Sequence, residues 1–424
     1  MYTIQWLRYY FGSTGKAYRK SYGKTINGKK YGFDEDGKML FGYVEDASYN
    51  IINDDEDPIL TADYYFGTNE DGARHTGWLQ YTDALTDHDD DYYWFYFNTS
   101  NGKKVTSQMK SINGKKYQFN AEGIMDFKWA AATVSGKYQS ATWFNKLENG
   151  SLAKNQWIWN KPYEDTYANL ESTKEDYADE TERWFRTDAS GALVKNQAKK
   201  VNSKWYVFDE DGVMRTGLVV LENIKDASKN VGAVSGSKIA NVTLDGETKL
   251  GVFDMDQVTK NDIINAKTNG ESLGKKLHYF SEEEEKDGSM KTGTLKIELA
   301  DDEYTFCFEK NTGASKHGYD SSSKKVYNSG ILEKAGDDKY KVVLNPAYDA
   351  SKNSKYYLVG STGSVVTAVN KYKDANDKYY VVLKPASGSH DYQIGSTYDE
   401  DEAKKAVKAG KLTGDDFSLE IESK

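Results

Sequence analysis

One string returns along this chain and restricts what it can fold into. GKKYGFDEDGKMLFG at 28 to 42 recurs as GKKYQFNAEGIMDFK at 114 to 128 and as SKWYVFDEDGVMRTG at 203 to 217. Looser copies read YYFGTNEDGARHTGW (64 to 78), WFYFNTSNGKKVTSQ (94 to 108), WFNKLENGSLAKNQW (143 to 157) and WFRTDASGALVKNQA (184 to 198). The shared plan is an aromatic, one residue, a second aromatic, a short Asp/Asn stretch, Gly, and a small or polar residue five positions on. Gly fills that last place after Gly37, Gly72, Gly212, Gly288 and Gly313, at Gly42, Gly77, Gly217, Gly293 and Gly318. Self-similarity at a short period marks a repeat architecture, in which each unit buries its apolar face only against its neighbours.

Tyr31 and Phe33 alternate with Lys30 and Gly32, so both rings leave one face of a short strand. DEDG at 34 to 37 reads as a turn, because Asp bonds its own backbone and Gly accepts a positive φ. A second short strand then runs to Gly42. A single hairpin of this size is marginal in water, so the units must stack. Tyr and Phe thereby replace Leu and Ile as core. This accounts for a chain of 424 residues with 38% hydrophobic residues yet 14% aromatics, 33 Tyr and 36 Gly. Its mean hydropathy is only -0.79, but that wealth of rings excludes wholesale disorder.

The expected fold is all-β: a solenoid of stacked β-hairpin repeats with a less regular central segment and a divergent, β-rich C-terminal half. The hairpin array spans 1-221, with polar insertions at 45 to 63, 81 to 92 and 160 to 182. Between Asp209 and His278 only Phe253 is aromatic, so 222-276 reads as an aromatic-poor connecting segment. Within it, DQVTKNDIINAK begins a short helix capped by Thr259. Divergent hairpin repeats follow over 277-397, and 398-424 is an acidic, then Lys-rich tail, a short helix or fraying end.

The charge balance, 56 Lys plus Arg against 66 Asp plus Glu, gives -10 without basic clusters. That excludes nucleic acid and anionic lipid as natural partners. No apolar run approaches the roughly 18 residues of a membrane helix, so membrane insertion is not expected. The start, MYTIQWLRYY, lacks the plan of a leader peptide, leaving a cytosolic protein or a mature fragment as alternatives. The single Cys307 lies in TFCFEK and reads as a half-buried strand residue.

Catalytic signatures are absent. The five His (His75, His88, His278, His317, His390) have no zinc-hydrolase spacing, and no GxSxG elbow, P-loop or dinucleotide fingerprint occurs. The chain is therefore expected not to be an enzyme, with a catalytic module outside it left open. No cofactor is expected. Calcium is the one ion that the runs DDEDP (54 to 58), DHDDD (87 to 91) and EEEE (282 to 285) suggest, but none has an EF-hand-like plan, and solvated loops are the preferred reading.

The string NGKKY-x-F-D-x-D-G-x-M-x-x-G resembles the choline-binding and cell-wall-binding repeats of Gram-positive surface proteins, including glucan-binding repeats of glucansucrases and repetitive regions of clostridial toxins. The resemblance implies hairpins of about 20 residues stacked into a solenoid, with ligand held against rings between successive hairpins. It also implies an extracellular or cell-surface protein whose leader is absent from this chain. In choline-binding members a cage takes a Trp after the repeat-ending Gly, a Trp before the paired rings and an aromatic from the next hairpin. Here only Trp78 holds the first place, with Tyr43 and Tyr319 as substitutes, and Trp205 holds the second; no unit shows the complete set. The GKKY-x-F-D form looks closer to the glucan-binding and toxin branches.

Carbohydrate recognition needs flat rings against sugar C–H faces with polar groups beside them. Trp157 and Trp159 are the leading candidates, because NQWIWN sets both indoles on one strand face beside Asn155, Gln156 and Asn160. Trp78, Trp94, Trp129, Trp143, Trp184, Trp205, Tyr43 and Tyr64 are further candidates, each also suited to the stacking core. The expected function is noncatalytic attachment to a polysaccharide, such as a glucan or a cell-surface glycan. The alternatives are a teichoic-acid or choline anchor of a larger surface enzyme, and a structural spacer or adhesin stalk. Oligomeric state is not legible.

Overall fold

The computed structural model describes residues 1–4, 7–46, 48–53, 56–130, 133–134, 137–138, 142–161, 182–223, 236–282, 287–412 and 417–418. They form two compact units: Met1–Thr181 with Arg186–Leu193, and Glu182–Phe185 with Val194–Lys424. Both consist mainly of short antiparallel strands in small hairpin sheets, the all-β repeat fold expected. Most of the insertion at 160 to 182 and of EEEE at 282 to 285 lies outside the described residues, as do the first two residues of DDEDP.

The hairpins are offset by half a unit from the sequence reading. Tyr31 and Phe33 belong to strand Lys29–Phe33, whose partner is the preceding strand Ser21–Ile26, with Lys24 opposite Tyr31 and Ile26 opposite Lys29. The closing turn is Asn27-Gly28, with φ of 48° and 79°, the left-handed pair that matches the twist of a two-residue hairpin. Gln108–Ile112 and Lys115–Phe119 repeat this around Asn113-Gly114, and Gln197–Val201 and Lys204–Phe208 around Asn202-Ser203. Downstream of the rings the pairing is short, a one-residue bridge from Phe33 to Met39 or Phe119 to Met125, and two residues where Val207 and Phe208 face Arg215 and Met214. The second ring of each hairpin is the core residue: Phe33, Phe66, Phe97, Phe119, Phe144 and Phe208 are all 0% exposed. Each such burial is worth about 1.5–3 kcal/mol.

The Asp/Asn stretch is one recurring loop. Asp34 Oδ1 accepts from the amides of Asp36 (2.9 Å) and Lys38 (2.8 Å), and Asn120 Oδ1 from those of Glu122 (3.0 Å) and Ile124 (2.9 Å). Asp188, Asp209 and Asp374 make the same pair of bonds. The position five residues past the loop glycine has positive φ whichever residue holds it: Gly42, Gly77, Gly217, Gly293 and Gly318, but also Lys20, Ser107, Lys128, Asn155 and Asn196. Gly recurs there because side chains with a Cβ are strained in that region.

Successive repeats interlock through the loop glycine and the residue two places after it. In the first unit Ala17 rests on Gly37, Met39 on Gly72, Arg74 on Gly102, Lys104 on Gly123, Met125 on Gly150 and Leu152 on Gly191. In the second, Met214 rests on Gly288 and Met290 on Gly313. The same residues carry a backbone rung to the preceding repeat. Met39 donates to Arg8 O (2.8 Å), Arg74 to Lys30 O (2.7 Å), Lys104 to Asp63 O (2.7 Å), Met125 to Trp94 O (2.8 Å) and Leu152 to Lys116 O (2.8 Å).

In the second unit the aromatic-poor segment is not a connector between arrays. Gly217–Val220 pairs with Leu277–Phe280, Gly217 opposite Phe280, so 221–276 is an insertion at the tip of one hairpin. After Phe280 the array resumes with Gly288, Met290 and Gly293 in their usual places. The insertion supplies its own strands, Asn241–Leu244, Glu247–Leu250 and two short partners, and the helix Lys260–Asn265. That helix carries the expected cap made reciprocal: the Asp262 amide donates to Thr259 Oγ1 and the Thr259 amide to Asp262 Oδ2. Its aliphatic core joins Val220, Val242, Ile263 and Leu277 to Ile297, Phe306 and Ile331. The C-terminal stretch forms helix Glu400–Ala409, which packs Ala403 and Ala406 on Tyr379, Val381 and Leu383. Cys307 lies in strand Asp302–Phe308, as expected, but is buried and not half-buried. Among the described residues no helix is long and apolar enough to cross a membrane.

Two measurements test this account. In a Met39→Ala and Gly72→Ala cycle, Gly72→Ala collides with the Met39 thioether, so truncating Met39 relieves part of the damage. Chemical denaturation is expected to give a coupling of about 0.5–3 kcal/mol; additive losses would refute the interlock. The second concerns His278, 3% exposed, whose burial pushes its pKa down to about 4. The unfolded chain takes up the proton first, so stability is complete above about 6.5 and falls as pH drops toward 4, by an amount on the order of 3 kcal/mol. A His278→Gln variant should lose this slope in the second unit's melting temperature between pH 6.5 and 4.

Candidate functional site

The rings named from sequence fall into two physical groups. Trp78 begins strand Gly77–Tyr81 directly after Gly77 and lies edge-to-face with Trp94 (centroids 6.0 Å), Tyr96 (5.1 Å) and Tyr117 (4.8 Å). Trp78, Trp94 and Tyr117 thus come together as the three parts of a cage, a convergence the unit-by-unit reading missed because Trp94 precedes the pair Phe95 and Phe97. However, the edge of one ring occupies the face of the next. A cation-π site needs ring faces turned to the cation, whereas here Trp78, Trp94 and Tyr117, each half-buried, pack edge against face. The cluster packs on buried Phe119, Ile112 and Met125, and burial pushes the Tyr117 hydroxyl pKa up.

Tyr64 is 6% exposed, and Tyr22 stacks on it at 4.4 Å; Tyr49 covers the other face of Tyr22 at 4.3 Å. Tyr43 stacks on Tyr65 at 4.8 Å, and burial raises its pKa. Both rings work in packing. Trp205 lies half-buried opposite Lys200, against Val207 and Ala198. Trp184 is half-buried in strand Arg183–Arg186 of the second unit. These rings are not brought to a common site.

The second group does share one. Trp143, Trp157 and Trp159 line a groove of about 350 Å³ with Asn145, Lys146, Asn149, Gln156 and Ile158. In strand Trp157–Asn160, Ile158 is buried, Trp157 is half-buried and Trp159 is 39% exposed. Alternation therefore sets both indoles on one side and anchors the strand through Ile158 on the other. Trp143, 7% exposed, meets Trp129 edge-to-face at 4.9 Å, and the two are opposite each other on paired strands. Trp129 is fixed by its indole N–H, which donates to Lys161 O at 2.6 Å. The Arg186 guanidinium lies 5.4 Å from the Trp157 ring centre.

The amides are oriented by each other. Gln156 Nε2 donates to Asn145 Oδ1 (3.0 Å), Asn145 Nδ2 donates to Ser151 O (2.8 Å), and Ser151 Oγ donates to Asn149 Oδ1 (2.8 Å). Among the described residues this leaves the Gln156 side-chain carbonyl and the Asn149 amide nitrogen without protein partners. They are an acceptor and a donor beside indole faces. Asn145, Lys146 and Asn149 come from a loop that the sequence reading treated only as turn chemistry. Their signal was the repeat itself, which places each loop beside the strand of the following hairpin. Among the described residues no group of three His, Cys, Asp or Glu converges as a metal site.

The chain matches no family model. Glucosyltransferase-S from Streptococcus mutans is 25% identical over 293 residues, 68% of this chain; the chain spans 18% of that protein's length. The chain resembles the choline- and glucan-binding repeat proteins. Among solved structures, the modular autolysin LytC from Streptococcus pneumoniae aligns over 79% of this chain and 53% of its own, at 15% identity and a TM-score of 0.32. Choline binding protein F from Streptococcus pneumoniae aligns over 78% of this chain and 98% of its own, at 16% identity and a TM-score of 0.29. Superpositions this partial leave the hairpin architecture to stand on the registers given above.

The two groups of rings respond differently to truncation. Trp78→Ala should cost about 1.5–3 kcal/mol in chemical denaturation, as expected for a half-buried indole packed against four rings. Trp159→Ala should stay within about 1 kcal/mol of the parent; a large loss there would make Trp159 a core ring.

Proposed function

We propose that this chain binds a neutral polysaccharide of the glucan type at the cell surface or outside the cell, without catalysis of its own. The observation that carries the reading is the groove of Trp143, Trp157 and Trp159, where indole faces stand beside an interlocked row of Asn and Gln side chains. Indole faces cover the apolar C–H surface of a pyranose, and side-chain amides match its hydroxyls as both donor and acceptor. Among the described residues the groove lining includes no carboxylate, in a chain of net charge -10. A shallow site of this size holds one or two sugar units and is weak by itself. The likeness to part of a glucosyltransferase favours a glucan over other neutral glycans, and the same likeness supports export. The choline reading has the convergence of Trp78, Trp94 and Tyr117 in its favour, but it requires those rings to separate.

Intrinsic Trp fluorescence titrated with α-glucan oligosaccharides and, separately, with choline discriminates the two. A saturable change with the oligosaccharide is expected, weakened about 10-fold in Trp159→Ala, which corresponds to about 1.4 kcal/mol. Choline should leave the signal unchanged. A choline response abolished by Trp78→Phe, with none from glucan, would replace this reading by the wall-anchor one.

A further inference from the structure

We propose that strand Gly293–Leu299 of the second unit is an open pairing edge through which two copies of this chain join, antiparallel and around a two-fold axis at Ile297. Gly217–Asn223, Gly293–Leu299 and Asp302–Phe308 are the longest strands among the described residues, at seven residues each. The first and third have neighbours on both sides. Gly293–Leu299 instead ends its five-stranded sheet and pairs only with Asp302–Phe308.

Which backbone groups face outward follows from the far side of that hairpin. The Cys307 amide donates to Gly330 O and Cys307 O accepts from the Lys316 amide, both at 2.9 Å, so Cys307 turns its backbone away from Gly293–Leu299. Thr294, opposite Cys307, therefore turns its own backbone outward, and Lys296 and Glu298 do so at the same alternation. Among the described residues no backbone hydrogen bond reaches these three from outside. The next in the row, Ala300, is held: its amide donates to Met255 O at 3.0 Å.

The preceding hairpin shows that this edge accepts a strand. Gly217–Asn223 likewise begins at a positive-φ glycine, and Leu218 and Val220 are the counterparts of Thr294 and Lys296. There Leu218 O accepts from the Phe253 amide (3.0 Å), the Val220 amide donates to Gly251 O (2.8 Å), and Leu221–Asn223 pairs with Ser237–Ile239. The chain's own insertion fills that edge. In the first unit the corresponding strands are shorter, and Ser21–Ile26 is bulged between Ser21 and Lys24, both of which discourage further pairing.

Charge identifies the occupant. Leu295-Lys296-Ile297-Glu298-Leu299 reads the same in both directions apart from the sign of its charge. A second copy laid antiparallel, Ile297 against Ile297, sets Lys296 opposite Glu298 twice and Leu295 opposite Leu299 twice. Since Lys296 and Glu298 face outward, each of their pairs exchanges both backbone hydrogen bonds. Glu298 needs the cation: it is exposed and lies opposite Glu303 in its own hairpin, while the Lys296 ammonium is bonded to Glu303. Like charges directly opposite each other are destabilising, and a second Lys296 on the outer side offsets this pair. Half-buried Leu295 gains cover from Leu299 of the second copy. The ladder ends at Gly293, whose φ of 90° turns the second copy's strand away where Met255 holds Ala300.

The test is sedimentation equilibrium of the full chain from about 1 µM to about 1 mM, with hydrogen exchange over residues 294–298 read by mass spectrometry at both ends of the range. A monomer–dimer equilibrium is expected, with protection of 294–298 that rises with concentration. Lys296→Glu alone and Glu298→Lys alone should each weaken dimerisation at least about 10-fold, because each sets like charges opposite one another twice. The double variant Lys296→Glu with Glu298→Lys is complementary again and should recover most of the loss. A chain that stays monomeric throughout overturns the proposal, and so does a dimer that ignores both single reversals. Protection of 294–298 that is equal at every concentration also overturns it, because the edge would then be covered from within the chain.

Discussion

Everything in these units hangs on a side chain lying across the backbone of a glycine. Met39 on Gly72, Met125 on Gly150 and Met290 on Gly313 are the same contact, and a Cβ at the glycine would occupy the space the thioether needs. Met suits the place because it is unbranched and adapts to small changes in spacing. Lys104 shows how far the constraint reaches. Its stem lies on Gly123 while its ammonium donates to the carbonyls of Ile59 (2.6 Å) and Leu60 (2.8 Å), and burial lowers its pKa to about 8. A cation is tolerated in the interior since its aliphatic part does the packing and carbonyls take the charge. Because the backbone rung reaches the preceding repeat and the side-chain seat the following one, a single residue such as Met39 ties each repeat to both of its neighbours.

Much of this was legible in the sequence, and what was misread has a physical cause. The repeat, the ring core, the Asx loop and the five-residue step to a special backbone position all follow from spacing, since they depend on local geometry. The strand partner did not. Both Asn-Gly and Asp-Glu-Asp-Gly are turn signals, and the stronger, Asn27-Gly28, precedes the rings, so the hairpin closes upstream. The aromatic-poor stretch was misleading for a related reason. Composition shows where the core changes from rings to aliphatics, whereas pairing Gly217 with Phe280 across 221–276 is a long-range fact that composition does not carry.

The candidate groove illustrates the same division. Period-2 alternation in WIWN was enough to place Trp157 and Trp159 together. That Trp143 joins them while Trp78 turns inward depends on which hairpin follows which loop, and therefore on stacking. Rings here have two employments, and the crowding of ring on ring separates them: Trp78 is met by four rings within 6.0 Å, whereas Trp159 has an open side. An aromatic-cored fold can become a binding surface with little change, because an uncovered core ring is already a sugar platform.

The hairpin ended by Gly217 and Phe280 has a consequence of another kind. Tips in this array range from two residues, as at Asn27-Gly28, through 82–92, to the insertion between Val220 and Leu277, whose described part carries strands and a helix of its own. All close onto the same ladder, because lengthening a loop adds only slowly to the entropy of closing it. The seats on the loop glycines lie at the opposite end of each hairpin, so a longer tip leaves them in place, even where the tip packs on the following strands as Ile263 does with Ile297. The tips are thus ports of accretion: new bodies can be acquired one repeat at a time while the spine beneath them keeps its spacing.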